Sequence, residues 1–297
     1  MRMKKWRADL IALLFLLPFL VVYGLFTIWS MIKGVEMTFY KWTLIRKMSY
    51  VGWDHYREVL RDQEVWDALW HSAIFVLFTT PTMIVLSISL ALIANRKSFL
   101  QKFYRSIFFI PSVLSVAVAS YLGLFVFQPY TGLVNSVLHL VKVLPEGTEL
   151  FWLTEKGLAW VAISALTLWW TVGFNFILHL SAIQEIPEEI YEAARLDGAN
   201  DRQVFWKITL PYLTPITRTI TMLQIIASFK VFMQIYIITG GGPLDETRPI
   251  IQLIYQTGFK KNDLGYAATM SYLLFVILLI LSALQYFVNN RKGANVG

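Results

Sequence analysis

Long apolar runs separated by clusters of charge dominate the pattern of this 297-residue chain. A helix needs about 20 residues to cross the roughly 30 Å hydrocarbon layer of a membrane. Five runs of at least that length contain no Asp, Glu, Lys or Arg: residues 10–31, 68–95, 106–141, 157–184 and 264–290. A sixth run, 211–238, is interrupted only by Arg218 and Lys230, whose long side chains are expected to reach the membrane interface. The pattern predicts an all-α, polytopic membrane protein with six transmembrane helices and both termini on the same side.

Composition agrees with a membrane protein. Hydrophobic residues make up 57% of the chain and charged residues 15%, against about 45–50% and about 25% in soluble domains. The net charge of +7 is not gathered on a basic helix or stripe, so nucleic acid is not expected as a partner. The absence of cysteine excludes disulfides and thiol chemistry. The four histidines lack metal-ligand spacing, and we place His71 and His179 at the membrane interface, so no metal site is predicted.

The first apolar run is predicted to be a retained anchor helix. Its core is longer than the about 7–15 residues of a signal peptide, and no small-residue cleavage site follows. Basic residues that mark the cytoplasmic side by the positive-inside tendency precede it, lie between the second and third runs, and follow the last run, although the first-to-second loop is also basic. They are Arg2, Lys4, Lys5, Arg7, Arg96, Lys97, Lys102, Arg105, Arg291 and Lys292. We therefore divide the chain into a cytoplasmic stub with the first helix (1–34), an extracytoplasmic loop (35–67), a core of five helices (68–290) with a cytoplasmic loop at 185–210, and a cytoplasmic tail (291–297).

The cytoplasmic loop predicts a short helix, a glycine break and a second short helix. Pro187 suits a first helical position, Gly198 suits the left-handed residue that ends a helix, and Asp201 suits the cap of the next one. Ile190, Ala193 and Ala194 share one face of the first helix. A small apolar face rimmed by charges favours insertion into a groove of another protein. The alternative, a helix lying on the lipid surface, is disfavoured by the lack of a basic polar face.

This loop carries a recognisable motif, EAA at 192–194, Gly198, and I-x-L-P at 208–211. It resembles the EAA loop of ABC importer permeases, which forms the coupling helix that docks into the ATPase subunit. Other stretches resemble the sugar-importer branch, specifically the maltose-type permease that pairs with a shorter partner. They are IP at 110–111, GLVN at 132–135, W-x-x-GFN at 170–175, SFKVF at 228–232, IY at 235–236 and TGGGP at 239–243. The resemblance covers roughly residues 8–290.

The resemblance implies a type I ABC importer permease in a bacterial or archaeal cytoplasmic membrane. The implied partners are a second permease, forming a heterodimer, two ATPase subunits, an extracytoplasmic solute-binding protein and a small-molecule sugar. The implied ATPase-coupling residues are Ile190, Glu192, Ala193, Ala194, Asp197 and Gly198. Two positions depart from the family pattern: Met233 stands where related permeases often have an acid, and Gln128 where Asn is common.

Motifs for nucleotide chemistry are missing from the chain. No G-x-x-x-x-G-K-[ST] occurs, and the glycines at 240–242 precede a proline, so we interpret them as a flexible loop. No H-E-x-x-H or G-x-S-x-G motif occurs either. We therefore predict no enzymatic activity and no cofactor in this chain, with ATP and Mg²⁺ used by the partner ATPase.

Two rows of polar residues predict a path for an uncharged sugar, which needs hydroxyl and amide partners and flat rings. The 211–238 run carries polar residues at steps of three or four from Thr214 to Ser228, and the 157–184 run from Ser164 to Asn175. The predicted path residues, several of which the resemblance to the maltose-type permease implies, are Thr167, Trp170, Thr171, Asn175, Thr221, Gln224 and Ser228. The alternative for each Ser or Thr is a hydrogen bond to its own helix or a role in close helix packing.

Three other functions stay open. A secondary carrier would need inverted repeats and a coupling-ion site, and the chain has no acid in the middle of a span. A membrane enzyme would need an acid, base or metal constellation. The third is an ABC permease for a solute other than sugar.

Overall fold

The computed structural model describes the backbone of residues 2–96, 98–145 and 147–293, and the side chains of residues 9–287 apart from 97 and 146. The N-terminal basic side chains, Lys97, the side chains of Arg291 and Lys292, and residues 294–297 lie outside the described residues. The predicted cytoplasmic tail and the charge pattern at both termini therefore stay predictions. The chain divides into two compact units, Met1–Val65 with Ile254–Ile277, and Trp66–Leu253 with Leu278–Gly297.

The first unit begins with one long apolar helix. Helix α1 (Arg2–Tyr23) passes through a π-helical turn (Gly24–Ile28) into α2 (Trp29–Thr38). None of the most apolar part of this span is buried by the chain itself. A helix that is apolar on all sides and uncovered by protein suits a lipid or protein environment rather than water.

The predicted extracytoplasmic loop of this unit is folded. It holds an antiparallel hairpin, β1 (Tyr40–Trp42) and β2 (Lys47–Tyr50), and the helix α3 (Asp54–Arg61). The start of α14 (Leu264–Gly293) is fixed to it, since the Tyr266 hydroxyl donates to Asp62 Oδ2 at 2.7 Å. A Cβ at Gly265 would lie 2.2 Å from the Tyr40 carbonyl oxygen, so this contact requires glycine. The apolar pattern did not predict the hairpin.

The second unit contains helices joined by loops, with no strand among its described residues. Its helices are α4 (Gln63–Asn95, which starts in the first unit), α5 (Gln101–Phe109), α6 (Val116–Val126), α7 (Leu133–Leu140), α8 (Leu158–Gln184), α9 (Glu188–Leu196), α10 (Asp201–Val204), α11 (Leu210–Phe229), α12 (Met233–Ile238) and α13 (Ile250–Tyr255), with the last part of α14. Helix α8 forms the centre of the unit and buries residues along its whole length, from Ala159 to Ile183. The all-α prediction is confirmed.

The third predicted span is bent, which corrects the single continuous run at 106–141. A 3₁₀ turn (Ile110–Val113) follows α5, and the α5 segment and α6 meet at 100°. Ser115 then caps α6, with its Oγ accepting from the Val118 amide at 3.3 Å. Proline at the turn removes a backbone donor and stops the α-helix. Apolar periodicity carries no signal for such a bend.

The length and apolar composition of the helices limit the number of possible spans. Among the described residues, four helices are long and apolar enough to cross a membrane: Asp9–Thr38, Gln63–Asn95, Leu158–Gln184 and Leu264–Phe287. The bent pair Gln101–Val113 and Val116–Val126 adds a fifth if it forms one span. Helix α11 has 20 residues but is more polar than the four long helices, because it contains several threonines and a glutamine. The count of six spans stays a prediction.

Candidate functional site

A cavity of about 620 Å³ lies against α8 and α11 in the second unit. Six of the seven predicted path residues line it: Thr167, Trp170, Thr171, Asn175, Gln224 and Ser228. They meet there because each row repeats every three or four residues and so occupies one helix face. The lining also includes residues that the polar pattern missed, notably Phe75, Ser112, Phe174, Lys230 and Gln234. Phe75, Ser112 and Phe174 carry no polar periodicity that would have indicated them.

A chain of hydrogen bonds joins three helices at the cavity wall. The amide of Asn175 donates to Gln224 Oε1 at 3.2 Å, and Gln224 Nε2 donates to Ser228 Oγ at 3.2 Å. Ser228 Oγ lies 3.0 Å from Thr79 Oγ1 on α4. All four side chains are buried, where an unpaired polar group would be costly. A ligand hydroxyl at this wall can bind to the donors and acceptors that these side chains have left, or it can replace one of these bonds.

The threonine hydroxyls donate to their own helices, as the alternative reading of the polar rows predicted. Thr167 Oγ1 donates to the Ile163 carbonyl at 2.7 Å and Thr171 Oγ1 to the Thr167 carbonyl at 2.6 Å. Each hydroxyl oxygen still has lone pairs that accept a hydrogen bond. These two threonines can therefore act as acceptors in the cavity, while their donor hydrogens are already used.

The bent third span holds Trp170 in place. Ser112 Oγ donates to the Trp170 carbonyl at 2.9 Å and accepts from the Gly173 amide at 3.1 Å. The Trp170 indole N–H donates to the Leu114 carbonyl at 2.9 Å. A Cβ at Gly173 would lie 2.5 Å from Ser112 Oγ and 2.9 Å from the Phe108 carbonyl oxygen. The bend and α8 thus fit together through a glycine, and the tryptophan side chain is fixed as part of the cavity wall.

Thr221 lies apart from the other path residues. It lines a second cavity of about 230 Å³ with Leu210, Thr214, Thr217, Arg218 and Gln285. His179 Nε2 lies 3.1 Å from Thr217 Oγ1, and its Nδ1 lies 3.2 Å from the Asn175 carbonyl oxygen. His179 is fully buried within the chain, which the sequence did not indicate; its placement at the membrane interface stays a prediction. Its hydrogen bonds to α8 and α11 replace those that water would supply at an interface.

The two cations of the fifth span line cavities. Arg218 is half-buried beside Thr221, and Lys230 lines the large cavity. We expected both side chains to extend to the membrane interface. That expectation stays a prediction; Lys230 directly follows Phe229, where α11 ends before α12 begins.

The cytoplasmic loop forms the predicted helix, break and helix. Gly198 has φ +80°, which confirms the left-handed break after α9. Two details differ from the prediction. Pro187 precedes the first helical residue, and Asn200, not Asp201, caps α10 through a capping box in which its side chain accepts from the Gln203 amide at 2.9 Å. Asp201 is instead the first residue of α10, beside the cap.

Helix α9 contains no buried residue. The exposed members of the predicted coupling set are Glu192, Ala193, Asp197 and Gly198, and the half-buried ones are Ile190 and Ala194. The predicted apolar face of Ile190, Ala193 and Ala194 is therefore fully exposed only at Ala193. Leu196, which the sequence reading missed, is 89% exposed. Its position three residues after Ala193 puts both on one side of the helix. The free apolar surface of α9 therefore centres on Ala193 and Leu196.

The loop is joined to α11 without a break in helix. Helix α10 continues through a π-helical turn (Phe205–Thr209) directly into α11. The Tyr191 hydroxyl on α9 lies 3.3 Å from Thr209 Oγ1 at that turn. The helix that carries Gln224 and Ser228 thus begins at the cytoplasmic loop.

The glycine run at 240–242 is not the flexible loop that we expected. Gln252 Nε2 donates to the Gly240 carbonyl at 2.6 Å, and Thr247 Oγ1 donates to the Gly242 carbonyl at 2.6 Å. Both donor residues are buried. Gly240 and Gly241 have positive φ, which glycine adopts without strain. The glycines therefore allow a tight, hydrogen-bonded turn.

The two departures from the family pattern have different surroundings. Gln128 Oε1 accepts from Thr131 Oγ1 at 2.7 Å in the turn before Gly132. Met233 is the first residue of α12 and is 41% exposed. Gln128 thus has a local structural role, and nothing in the structure explains Met233.

Comparisons with known proteins agree with this architecture. Residues 83–293 match the family model "Binding-protein-dependent transport system inner membrane component". The chain is 35% identical to the multiple sugar-binding transport system permease protein MsmF of Streptococcus mutans over 93% of this chain and 94% of that protein. It is 30% identical to the probable ABC transporter permease protein YurN of Bacillus subtilis over 93% of this chain and 95% of the other.

The fold matches a solved structure as well. A crystal structure of a bacterial ABC transporter that imports the acidic polysaccharide alginate superposes with a TM-score of 0.86, at 22% identity, over 98% of this chain and 99% of that chain. At this identity the likeness shows the fold. Together with the family match, it places a transporter fold around the cavity. The chain belongs to the family of binding-protein-dependent transport system inner membrane components, the permease subunits of ABC importers.

Proposed function

We propose that this permease carries a saccharide across the cytoplasmic membrane through the 620 Å³ cavity, with six spans and both termini in the cytoplasm. The observation that carries the proposal is the combination of Asn175, Gln224 and Ser228 with Trp170 and Phe174 in one lining. Amide and hydroxyl groups exchange hydrogen bonds with sugar hydroxyls, and aromatic faces pack against sugar rings. The similarity to MsmF, a permease of a multiple sugar-binding transport system, supports the same substrate class.

The proposed assembly is a heterodimer with a second permease, flanked in the cytoplasm by two ATPase subunits and served outside by a solute-binding protein. ATP and Mg²⁺ bind to the ATPase subunits, and this chain holds no cofactor. The family description, a component of binding-protein-dependent transport, supports the outer partner. The second permease and the ATPases follow from the resemblance of the EAA loop.

The proposed ATPase contact is helix α9. Its free apolar surface at Ala193 and Leu196 is flanked by Glu192 and Asp197, and all four residues are exposed. An apolar surface with charged edges fits a groove of complementary charge. Movement of the ATPase pair would reach the cavity through the unbroken helix from α10 into α11. The binding of ATP would then shift the balance between inward-open and outward-open states.

Co-purification and reconstitution test this proposal. The tagged chain is isolated from native membranes in gentle detergent, and its partners are identified by mass spectrometry. The recovered complex is then placed in proteoliposomes, and uptake of labelled saccharides is measured with ATP and with the binding protein. We expect a second permease and an ATPase in the complex and uptake that requires both additions. Recovery of this chain alone, with uptake in the absence of ATP, would instead support a secondary carrier.

A charge reversal in the coupling helix tests the ATPase contact. Glu192→Lys should abolish uptake while the protein stays in the membrane, because the contact is lost and not the fold. Glu185→Lys is the matched control, since Glu185 is also exposed but precedes α9, and it should keep its uptake. Equal uptake by both variants would exclude α9 as the ATPase contact.

A further inference from the structure

Resting on the proposed function, we propose that the cavity selects a saccharide that carries an anionic group, and that Lys230 is the residue that determines this selectivity. Among the described residues, Lys230 supplies the only charged side chain of the lining, and the polar residues around it are neutral. They are Ser112, Thr167, Thr171, Asn175, Gln224, Ser228 and Gln234. The lining that would bind a sugar therefore contains one charged side chain, which is positive.

The ammonium group of Lys230 has no ion-pair or hydrogen-bond partner within the described part of the chain. Other lysines do form ion pairs: Lys33 and Lys47 with Glu36, Lys156 with Glu246, and Lys261 with Glu64. Within the part of the chain that the structure describes, no carboxylate lines the large cavity. A cation beside a substrate cavity without a protein counter-ion attracts anionic ligands and repels cationic ones.

The position of Lys230 on the fold keeps its charge at the cavity. It follows the last residue of α11, Phe229, which is buried, and precedes Val231, also buried. Backbone bonds from its amide to the Ile226 and Ala227 carbonyls, both 3.2 Å, fix the residue at the helix end. Lys230 itself is exposed. The backbone is thus held while the ammonium group stays free to meet a ligand.

The net charge of the cavity lining can also be changed by a substitution at Gln234. It is half-buried on α12 and lines the cavity together with Lys230. A glutamate there is nearly the same shape but adds a negative charge. If Lys230 attracts an anionic saccharide, Gln234→Glu must oppose that attraction, whereas a purely structural role for Lys230 predicts no such effect.

The experiment uses the complete transporter with its binding protein in proteoliposomes. Uptake is measured for an oligogalacturonate, for a phosphorylated sugar and for neutral oligosaccharides, including the fully methyl-esterified form of the oligogalacturonate. Because the binding protein is unchanged, the ratio of variant to wild-type uptake isolates the contribution of the permease. Lys230→Met, Lys230→Arg and Gln234→Glu are compared with Lys41→Met, which removes the same charge from an exposed residue of β1.

We expect the wild-type transporter to take up an anionic member of the panel. A hydrogen bond to a charged group contributes more than a neutral one, so Lys230→Met should reduce that uptake by about ten- to a hundredfold. Uptake of a neutral oligosaccharide should change less than about twofold. Lys230→Arg should restore anionic uptake, Gln234→Glu should reduce it, and Lys41→Met should resemble the wild type.

Several outcomes overturn the inference while leaving the proposed function intact. They are uptake of neutral saccharides alone, and an equal loss of charged and neutral uptake in Lys230→Met, which would indicate a structural role at the helix end. Uptake of no saccharide by the wild-type complex contradicts the proposed function itself. The two failures are therefore distinguishable.

Discussion

The cavity wall and helix α9 differ in how their side chains are covered by the rest of the chain. At the cavity, Asn175, Gln224 and Ser228 are buried and hydrogen-bonded to one another and to α4. On α9, no residue is buried and Leu196 is almost fully exposed. The polar groups of the first region are paired within this chain, whereas the second region keeps apolar surface exposed. This difference agrees with the proposal that the permease itself contacts the substrate and that α9 contacts a partner subunit.

The largest effect that separates the two regions is expected at Gly198. A β-branched residue at φ +80° costs about 1–2 kcal/mol or more, and it displaces α9 relative to α10. Gly198→Val should therefore remove most of the ATP-dependent uptake and leave membrane insertion unchanged. Uptake is measured in proteoliposomes and insertion by the yield from membranes. Gly198→Asn, which tolerates the left-handed conformation, is the control, and similar losses in both variants would contradict this explanation.

A second substitution tests the close packing of α8 against the bent third span. Gly173→Ala places a Cβ 2.5 Å from Ser112 Oγ, and overpacking of this kind costs about 1–3 kcal/mol. The thermal unfolding temperature of the purified chain should fall. The control is Gly24→Ala on the first span, where a Cβ meets no atom within 4 Å. If the control is destabilised equally, the contact between the bend and α8 is not the cause.

A third test removes one member of the hydrogen-bonded wall. Gln224→Met keeps the length of the side chain but leaves Asn175 without its acceptor and Ser228 without its donor. Leaving buried polar groups unpaired costs about 1–3 kcal/mol, so both stability and saccharide uptake should decrease. Gln128→Met is the matched control, because Gln128 makes its bond in an exposed turn. An unchanged melting temperature for Gln224→Met would show that the network does not stabilise the wall.

The smallest effect is expected at the cap of α10. Asn200→Ala removes the capping bond to the Gln203 amide, which costs about 1 kcal/mol. We expect a slight fall in melting temperature and a partial loss of coupling between ATP hydrolysis and uptake. Asp201→Ala should have less effect, since Asp201 is not the cap. The reverse order would restore the original assignment of the cap.

The sequence predicted the elements whose signals are local. Charge-free runs located the apolar helices because lipid excludes charged side chains, and spacing of three or four residues brought Thr167, Asn175 and Gln224 to one cavity. Gly198 was found because its conformational role is local to a helix end. The family assignment, made from the EAA loop, is confirmed by the match over residues 83–293.

Features that depend on distant contacts were missed. The burial of His179 depends on Thr217, which is 38 positions away, and the ordered glycine turn depends on Gln252. Thr221 shares the polar row of α11 but lines another cavity. The spacing of a row fixes which face of the helix its residues share, but not which cavity lies beside each residue along the helix axis. The assignments of coupling and path residues stay predictions until the experiments above are done.

The unbroken helix from the cytoplasmic loop into α11 has a mechanical consequence. The 20 residues of α11 span about 30 Å at about 1.5 Å per residue. Tilting such a rod by about 10° about its cytoplasmic end moves the far end by about 5 Å, and moves Gln224 by about 4 Å. That displacement exceeds the 3.2 Å that separates Gln224 from Asn175. A modest rotation at the membrane surface is therefore enough to open the polar wall of the cavity.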